Sequence, residues 1–295
     1  MWSAFDRAVL SVSSVEAASR TYASLLGRGP SWQGREAGQG RAEFVLANGA
    51  IEVRGPIEAD PRPDALDPSR GTEGPIALCL ACPDLDRTAE ALARRGVGVQ
   101  RVEEAFRDPS SGHTRRIREL RLDLAATRGV VISAREAGAG PPPGAGPAPS
   151  SEAEAGAPAG VGAEPDPAAV QGIDHVVVRT QDPEAAIELY RDRLGLRLAL
   201  DREFPERGVR LVFFRLAGVT LELAARAKGT PGSDPDRLWG VAYRVTRPRA
   251  AHARLVAAGF EVSAVRPGNK PGTAVCTVRG PTHGVPTLII GPEEE

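Results

Sequence analysis

Short apolar runs with strand-like alternation alternate along the chain with stretches of helical periodicity, and the order recurs four times. In the C-terminal half, Ile173-Asp174-His175-Val176-Val177-Val178 predicts a β-branched strand. Asp182-Pro183 supplies a helix cap with proline in the first turn. Ile187, Tyr190 and Leu194 follow at helical spacing, and Gly195 stops the helix. Strands are predicted near 197–201, 210–216 and 219–225, with Gly218 turning the chain between the last two. The pattern then restarts: a strand at 240–245, a helix through Ala251, Leu255 and Ala258 ended by Gly259, and strands near 262–266, 274–279 and 287–290.

The N-terminal half has the same order. Ala8–Val12 predicts a strand, and Val15, Ala18, Tyr22 and Leu25 a helix ended by Gly27. Two strands, 42–46 and 50–53, flank Asn48-Gly49, a strong hairpin signal. A further unit begins at Ile76-Ala77-Leu78-Cys79-Leu80, and its helix carries Leu85, Ala89 and Leu92 up to Gly96. Ala91–Val97 parallels Arg254–Phe260, and Tyr22–Gly27 parallels Tyr190–Gly195. A repeat of ~60 residues is too long for a solenoid. The fold class expected is α+β, with four β-α-β-β-β units whose curved mixed sheets enclose cups.

Composition sharpens the organisation. Residues 137–168 are nearly all Ala, Gly, Pro, Ser and Glu without apolar periodicity, which predicts a disordered linker. The expected domains are therefore 1–136 and 169–295. Net charge is -1, so no general basic field for nucleic acid or an anionic membrane is expected. Of 37 basic residues only Lys228 and Lys270 are lysine, which fits a GC-rich bacterial coding bias. No run approaches a membrane span, and the first residues lack signal-peptide features, so a cytoplasmic protein is expected. Cys79, Cys82 and Cys276 are an odd, sparse set. The Cys79-x-x-Cys82 spacing falls in a strand-like run and reads as buried apolar packing.

The motifs Gly172–Val178, Leu189-Tyr190-Arg191-Asp192-Arg193-Leu194-Gly195-Leu196 and Gly218-Val219-Thr220-Leu221-Glu222-Leu223 together resemble the vicinal oxygen chelate superfamily. That superfamily holds glyoxalase I, extradiol dioxygenases, epimerases, and bleomycin- and fosfomycin-resistance proteins. The C-terminal half carries the likeness throughout and the N-terminal half more loosely. The resemblance implies paired units forming a cup, with a divalent metal held by first-strand and last-strand residues. His175 and Glu222 stand at such positions in the third unit. The first unit has Arg7 and Glu52 there, the second Pro75 and Ile132, the fourth Gly240 and Ile289. Whether units pair one-with-two or crosswise is left open.

Two ligands make an incomplete set for Zn, Ni, Mn or Fe. Either a weakly held divalent metal is completed by water and substrate, with His283 as a third ligand from a loop, or the pair works alone. In the second case Glu222 acts as general base with a raised pKa and His175 as its acid partner. Arg7 and Glu52 read as an ion pair filling the N-terminal cup. Alternation places Gly240, Ala242, Arg244 and Thr220 on the C-terminal cup face, with space left by Gly240 and an anion site at Arg244. Tyr243, Trp239, Phe213 and Phe214 are candidate aromatic walls, and Lys270 lies in a basic loop suited to covering the cup. The expected function is a small-molecule lyase, isomerase or related proton-transfer enzyme. The alternative is a metal-free binding protein of the bleomycin-resistance type. The partner expected is a small molecule, and the chain a monomer or homodimer.

Overall fold

The computed structural model describes residues 1–36, 38–57, 73–108, 112–137, 166–228 and 232–294, so most of the expected linker, 138–165, lies outside the described residues. Four units are present. The first comprises β1 (Ala4–Ser11), α1 (Val15–Leu26), β2 (Trp32–Glu36), β3 (Gln39–Leu46) and β4 (Gly49–Pro56). The second comprises β5 (Gly74–Cys82), α2 (Leu85–Ala93), β6 (Val99–Arg107), β7 (Thr114–Leu122) and β8 (Val131–Glu136). The third has β9 (Gly172–Arg179), α3 (Pro183–Ile187) continued by a π-helical turn (Glu188–Arg193), β10 (Arg197–Phe204), β11 (Val209–Leu216) and β12 (Val219–Arg226). The fourth has β13 (Arg237–Arg244), α4 (Pro248–Ala257), the short β14 (Glu261–Val262) and β15 (Arg266–Pro267), β16 (Thr273–Gly280) and β17 (Thr287–Pro292).

Local chemistry sets the helix ends. Ser14 Oγ accepts from the Ala17 amide at 3.3 Å at the start of α1, and Asp182 Oδ1 accepts from Ala185 at 3.1 Å at the start of α3. Gly27 ends α1 at φ 70°, donating its amide to Ala23 O, a conformation that a side chain would strain.

Units pair within each half. β1 runs antiparallel to β5, and the first eight strands close into a barrel in the order β1-β4-β3-β2-β6-β7-β8-β5. β9 runs antiparallel to β13, and the remaining strands form an open sheet, β10-β11-β12-β9-β13-β17-β16-β14, with β15 on β16. This sheet curves into a trough, and Arg207 Nη1 donates to Asn269 Oδ1 at 3.0 Å, joining the turns beyond β10 and β15.

The outer apolar faces of barrel and sheet share one core. Phe5, Leu78, Leu80 and Ile132 meet Val176, Tyr190, Leu216 and Leu221, leaving a void of only about 10 Å³. The seam has approximate two-fold character. His283 Nδ1 meets Glu73 Oε1 at 2.9 Å, while Arg128 Nε donates to Asp236 at 3.0 Å on the other side. Asn48 donates to Ile173 O at 2.7 Å and accepts from the Ile173 amide at 2.9 Å. Among the described residues, no helix is long and apolar enough to cross a membrane.

Candidate functional site

Register places the candidate residues on two rows across the trough floor, because directly paired residues share a face. One row runs Arg215, Thr220, His175, Ala242, Leu288, Thr277. The next runs Phe213, Glu222, Val177, Gly240. The opposite face, with Val212, Phe214, Leu221, Leu223, Val241 and Tyr243, belongs to the core.

His175 and Glu222 therefore come together. His175 Nε2 lies 3.7 Å from Glu222 Oε2, and their side chains are 17% and 15% exposed. Nδ1 of His175 is 2.9 Å from Asp174 Oδ2. With Nδ1 donating to this carboxylate, Nε2 is the ring atom presented to Glu222. Burial pushes the Glu222 carboxyl above its usual range against the lowering effect of His175, and Asp174 adds to the rise. Asp174 is held below its usual range, first by the hydrogen bond from His175, with Arg244 and Lys270 also lowering it. The arrangement sets a protonatable carboxyl beside one imidazole nitrogen, with the Asp174 carboxylate on the other.

Other expected residues fall elsewhere. Tyr243 is 0% exposed and points into the core, so it is not a wall of the trough. The register shift between Ala242 and Tyr243 leaves the alternation intact around it. Phe214 is likewise in the core, whereas Phe213 is on the trough face. Trp239 stands at the rim, 45% exposed, with the Arg179 guanidinium 5.3 Å from its ring. Gly240 does not open space: a Cβ there would lie 2.6 Å from Pro286 O, so the glycine permits a close backbone approach. Thr220 accepts from Arg215 Nη1 at 2.6 Å. Arg244 donates to Gly218 O at 3.1 Å and Ile173 O at 3.3 Å at the trough's end, 3.8 Å from Asp174. Lys270 lies close enough to act on Asp174.

His283 is the clearest correction. Its loop turns to the seam between the halves, where the ring bonds Glu73, faces Thr21 Oγ1 at 3.3 Å and stacks on Tyr22. It does not reach the His175–Glu222 pair. The last-strand position of the fourth unit is Leu288 rather than Ile289, which is fully buried in the core. In the second unit the positions are Ala77 and Ser133 rather than Pro75 and Ile132: Ala77 pairs with Val9, Ser133 pairs with Cys79, and Ile132 faces the core. Neither unit adds a His or carboxylate, and among the described residues no group of three or more His, Cys, Asp or Glu is placed to hold a metal. A two-donor set does not fit a resident metal held by the protein itself.

The barrel interior is filled instead. Arg7, at the position of His175, lies 3.1 Å from Glu52 and 2.8 Å from Glu43. Arg54, Arg41 and Arg135 approach the same Glu52 at 2.7, 3.5 and 3.8 Å. Arg115 reaches Glu43, Arg41 and Arg121 reach Glu104, and Arg121 and Arg135 reach Glu119. Burial alone would raise the Glu52 carboxyl, but four guanidinium groups hold it well below the usual range. Burial pushes the Cys79 thiol up, and Cys79 and Cys82 both sit buried and unpaired in β5.

Sequence reasoning missed two residues. Asp174 was read only as part of a strand, although its neighbour His175 needed an orienting partner. Arg215 follows from the hairpin at Gly218, which sets it opposite Thr220.

Two family descriptions, both reading Glyoxalase/Bleomycin resistance protein/Dioxygenase superfamily, match the chain, one over residues 4–114 and the other over 174–277. No curated protein matches the sequence. Among solved structures, a triple mutant of 4-hydroxymandelate synthase from Streptomyces coelicolor is similar over 99% of this chain and 93% of its own, with a TM-score of 0.67 and 14% identity. A Mn(II)-bound glyoxalase from Novosphingobium aromaticivorans is similar over 100% of this chain and 83% of its own, with a TM-score of 0.62 and 16% identity. A halotolerant catechol dioxygenase has a TM-score of 0.59 at 13% identity over 100% of this chain and 89% of its own. At these identities the likeness is one of fold.

Proposed function

Since this chain belongs to the Glyoxalase/Bleomycin resistance protein/Dioxygenase superfamily as a tandem two-domain member, we propose that its C-terminal trough moves a proton on a small oxygenated molecule, using Glu222 and His175 without a resident metal. The observation that carries this reading is Glu222 with a raised pKa, 3.7 Å from a histidine whose other nitrogen is engaged by Asp174. A base with a pKa brought toward the working pH is the more effective one. Glu222 takes a proton from a carbon next to a carbonyl. His175, oriented by Asp174 and carrying a proton on both ring nitrogens, gives the Nε2 proton to the oxygen that gains charge. The proton on Glu222 then returns to carbon and Nε2 is reprotonated as the enol reverts, or a leaving group departs with a proton. The reaction class is that of an isomerase or lyase. The barrel supports the seam and takes no part in the chemistry. The divalent metal of the fold family (Zn, Ni, Mn or Fe) is not needed for these steps.

The test is exchange of carbon-bound hydrogen into D2O, followed by NMR over a panel of small carbonyl compounds. Glu222→Gln and His175→Ala are each expected to lower exchange by ~10²-fold or more. Exchange that survives both substitutions would sink the proposal. A second reading, a metal-free sequestering protein, is favoured by the incomplete donor set. It predicts saturable binding with no exchange or turnover for any compound bound.

A further inference from the structure

We infer that Arg215 anchors a carboxylate of the substrate, so that the carbon next to that carboxylate lies over the His175–Glu222 pair. This rests on the proton-transfer reading above and narrows it to small carboxylic acids with an acidic α-hydrogen.

Arg215 lies on the same row as His175, with Thr220 between them. Adjacent strands are ~4.8 Å apart, so Arg215 and His175 start about 10 Å apart across the floor, a span that one small acid and a guanidinium side chain fill. Its Nη1 is fixed by donation to Thr220 Oγ1 at 2.6 Å, which aims the group along the row. Its other N–H groups have no carboxylate within ion-pair distance among the described residues. That sets it apart from Arg210 on the opposite face of the same strand, which holds both Asp201 and Glu184 at 2.6 Å. Arg244, at the same end of the trough, is already committed to two backbone carbonyls.

A planar guanidinium with free N–H pairs binds a carboxylate through two parallel hydrogen bonds. Pairing that charge also removes the main obstacle to taking a proton from the adjacent carbon, where a second negative charge would otherwise develop. The anchor thus sets both position and acidity, while Phe213 and Leu288 bound the remaining space with neutral side chains.

Malonate is the probe, since it carries a carboxylate beside an acidic methylene, and malonamide is its neutral counterpart. Titration calorimetry on the full-length chain should show saturable malonate binding and no comparable malonamide binding. Arg215→Gln should weaken malonate at least tenfold, and Arg215→Lys should keep part of the affinity. Arg226→Gln, three rows along the same face, should leave it unchanged. Glu222→Gln should bind malonate as well as the wild type while losing methylene exchange in D2O. The anchor is overturned if the wild type does not bind malonate, if malonamide binds equally, or if Arg215→Gln or Arg226→Gln behaves otherwise. Arg215-dependent binding without exchange in the wild type would keep the anchor and remove the proposed reaction.

Discussion

The two halves place a glutamate at the same point of the same unit and give it opposite surroundings. Glu52 pairs with Val9 and Glu43; Glu222 pairs with Val177 and Phe213. The ladders make the rest of the correspondence explicit. Asp6-Arg7 becomes Asp174-His175. Arg41 becomes Leu211, Glu43 becomes Phe213 and Arg54 becomes Ala224. Across the seam of paired units, Arg135 becomes Ile290, Arg121 becomes Thr277 and Glu119 becomes Val275. The barrel sets its buried arginines and glutamates against one another. The trough has lost most of those charges, and its Glu222 faces one histidine, His175, in place of four arginines. The same fold therefore yields a filled core or a site according to whether the facing strands supply counter-charge.

The largest effect expected is on the barrel. Removing one member of a buried ion network leaves its partners uncompensated. Glu52→Gln strips the shared carboxylate from Arg7, Arg41, Arg54 and Arg135. It is expected to cost about 3–5 kcal/mol in urea unfolding. Glu222→Gln, which removes a carboxylate burial already disfavours, should cost nothing at neutral pH. Equal losses in both variants would mean that the two glutamates are not electrostatic opposites.

Next in size is the conversion of the trough toward the barrel. His175→Arg sets a permanent cation beside Glu222, as Arg7 stands beside Glu52. It should pull the Glu222 carboxyl down into the ionised, weakly basic range and reduce exchange activity by ~10²-fold. The fold should persist, because the row is partly open to water. Retained activity would show that the proton-transfer role does not depend on His175.

The contrast also explains what could be read from the chain. Apolar alternation marked β1, β4, β5 and the strands of the trough, because each has one face in the shared core. It did not mark β6 and β7, whose segments Val99–Arg107 and Thr114–Leu122 carry charge on both faces. Their inner faces are charged because the barrel is filled with ion pairs, so the usual apolar signature of an interior is absent. His175 and Glu222 were singled out by the family resemblance, and the parallel register of β9 and β12 brings the two side chains within 3.7 Å. His283 was misplaced because a loop has no period from which its direction can be read, and its contact with Glu73 crosses 210 residues. Tyr243 was misassigned for a simpler reason: alternation puts Ala242 and Tyr243 on opposite faces, and only the neighbour faces the trough.

The finest test is the pH dependence of stability. Glu52, Asp6 and Glu104 are all held below their usual values in the folded barrel. A depressed carboxyl contributes stability that is complete above its unfolded pKa and is lost as pH falls through the folded value. The deficit of Glu52→Gln should therefore be largest near neutrality and shrink in acid. Glu222 runs the other way. Its folded value is raised, so the ionised form costs stability above that value and the cost disappears as pH falls toward the ordinary carboxylate range. Glu222→Gln should accordingly be slightly more stable than the wild type at neutral pH, with the advantage vanishing in mild acid. Urea midpoints measured for both variants across this range should approach the wild type from opposite sides. A Glu222→Gln curve lying below the wild type at neutral pH would show that His175 neutralises Glu222 as fully as the arginines neutralise Glu52, and the trough would then be a second filled core.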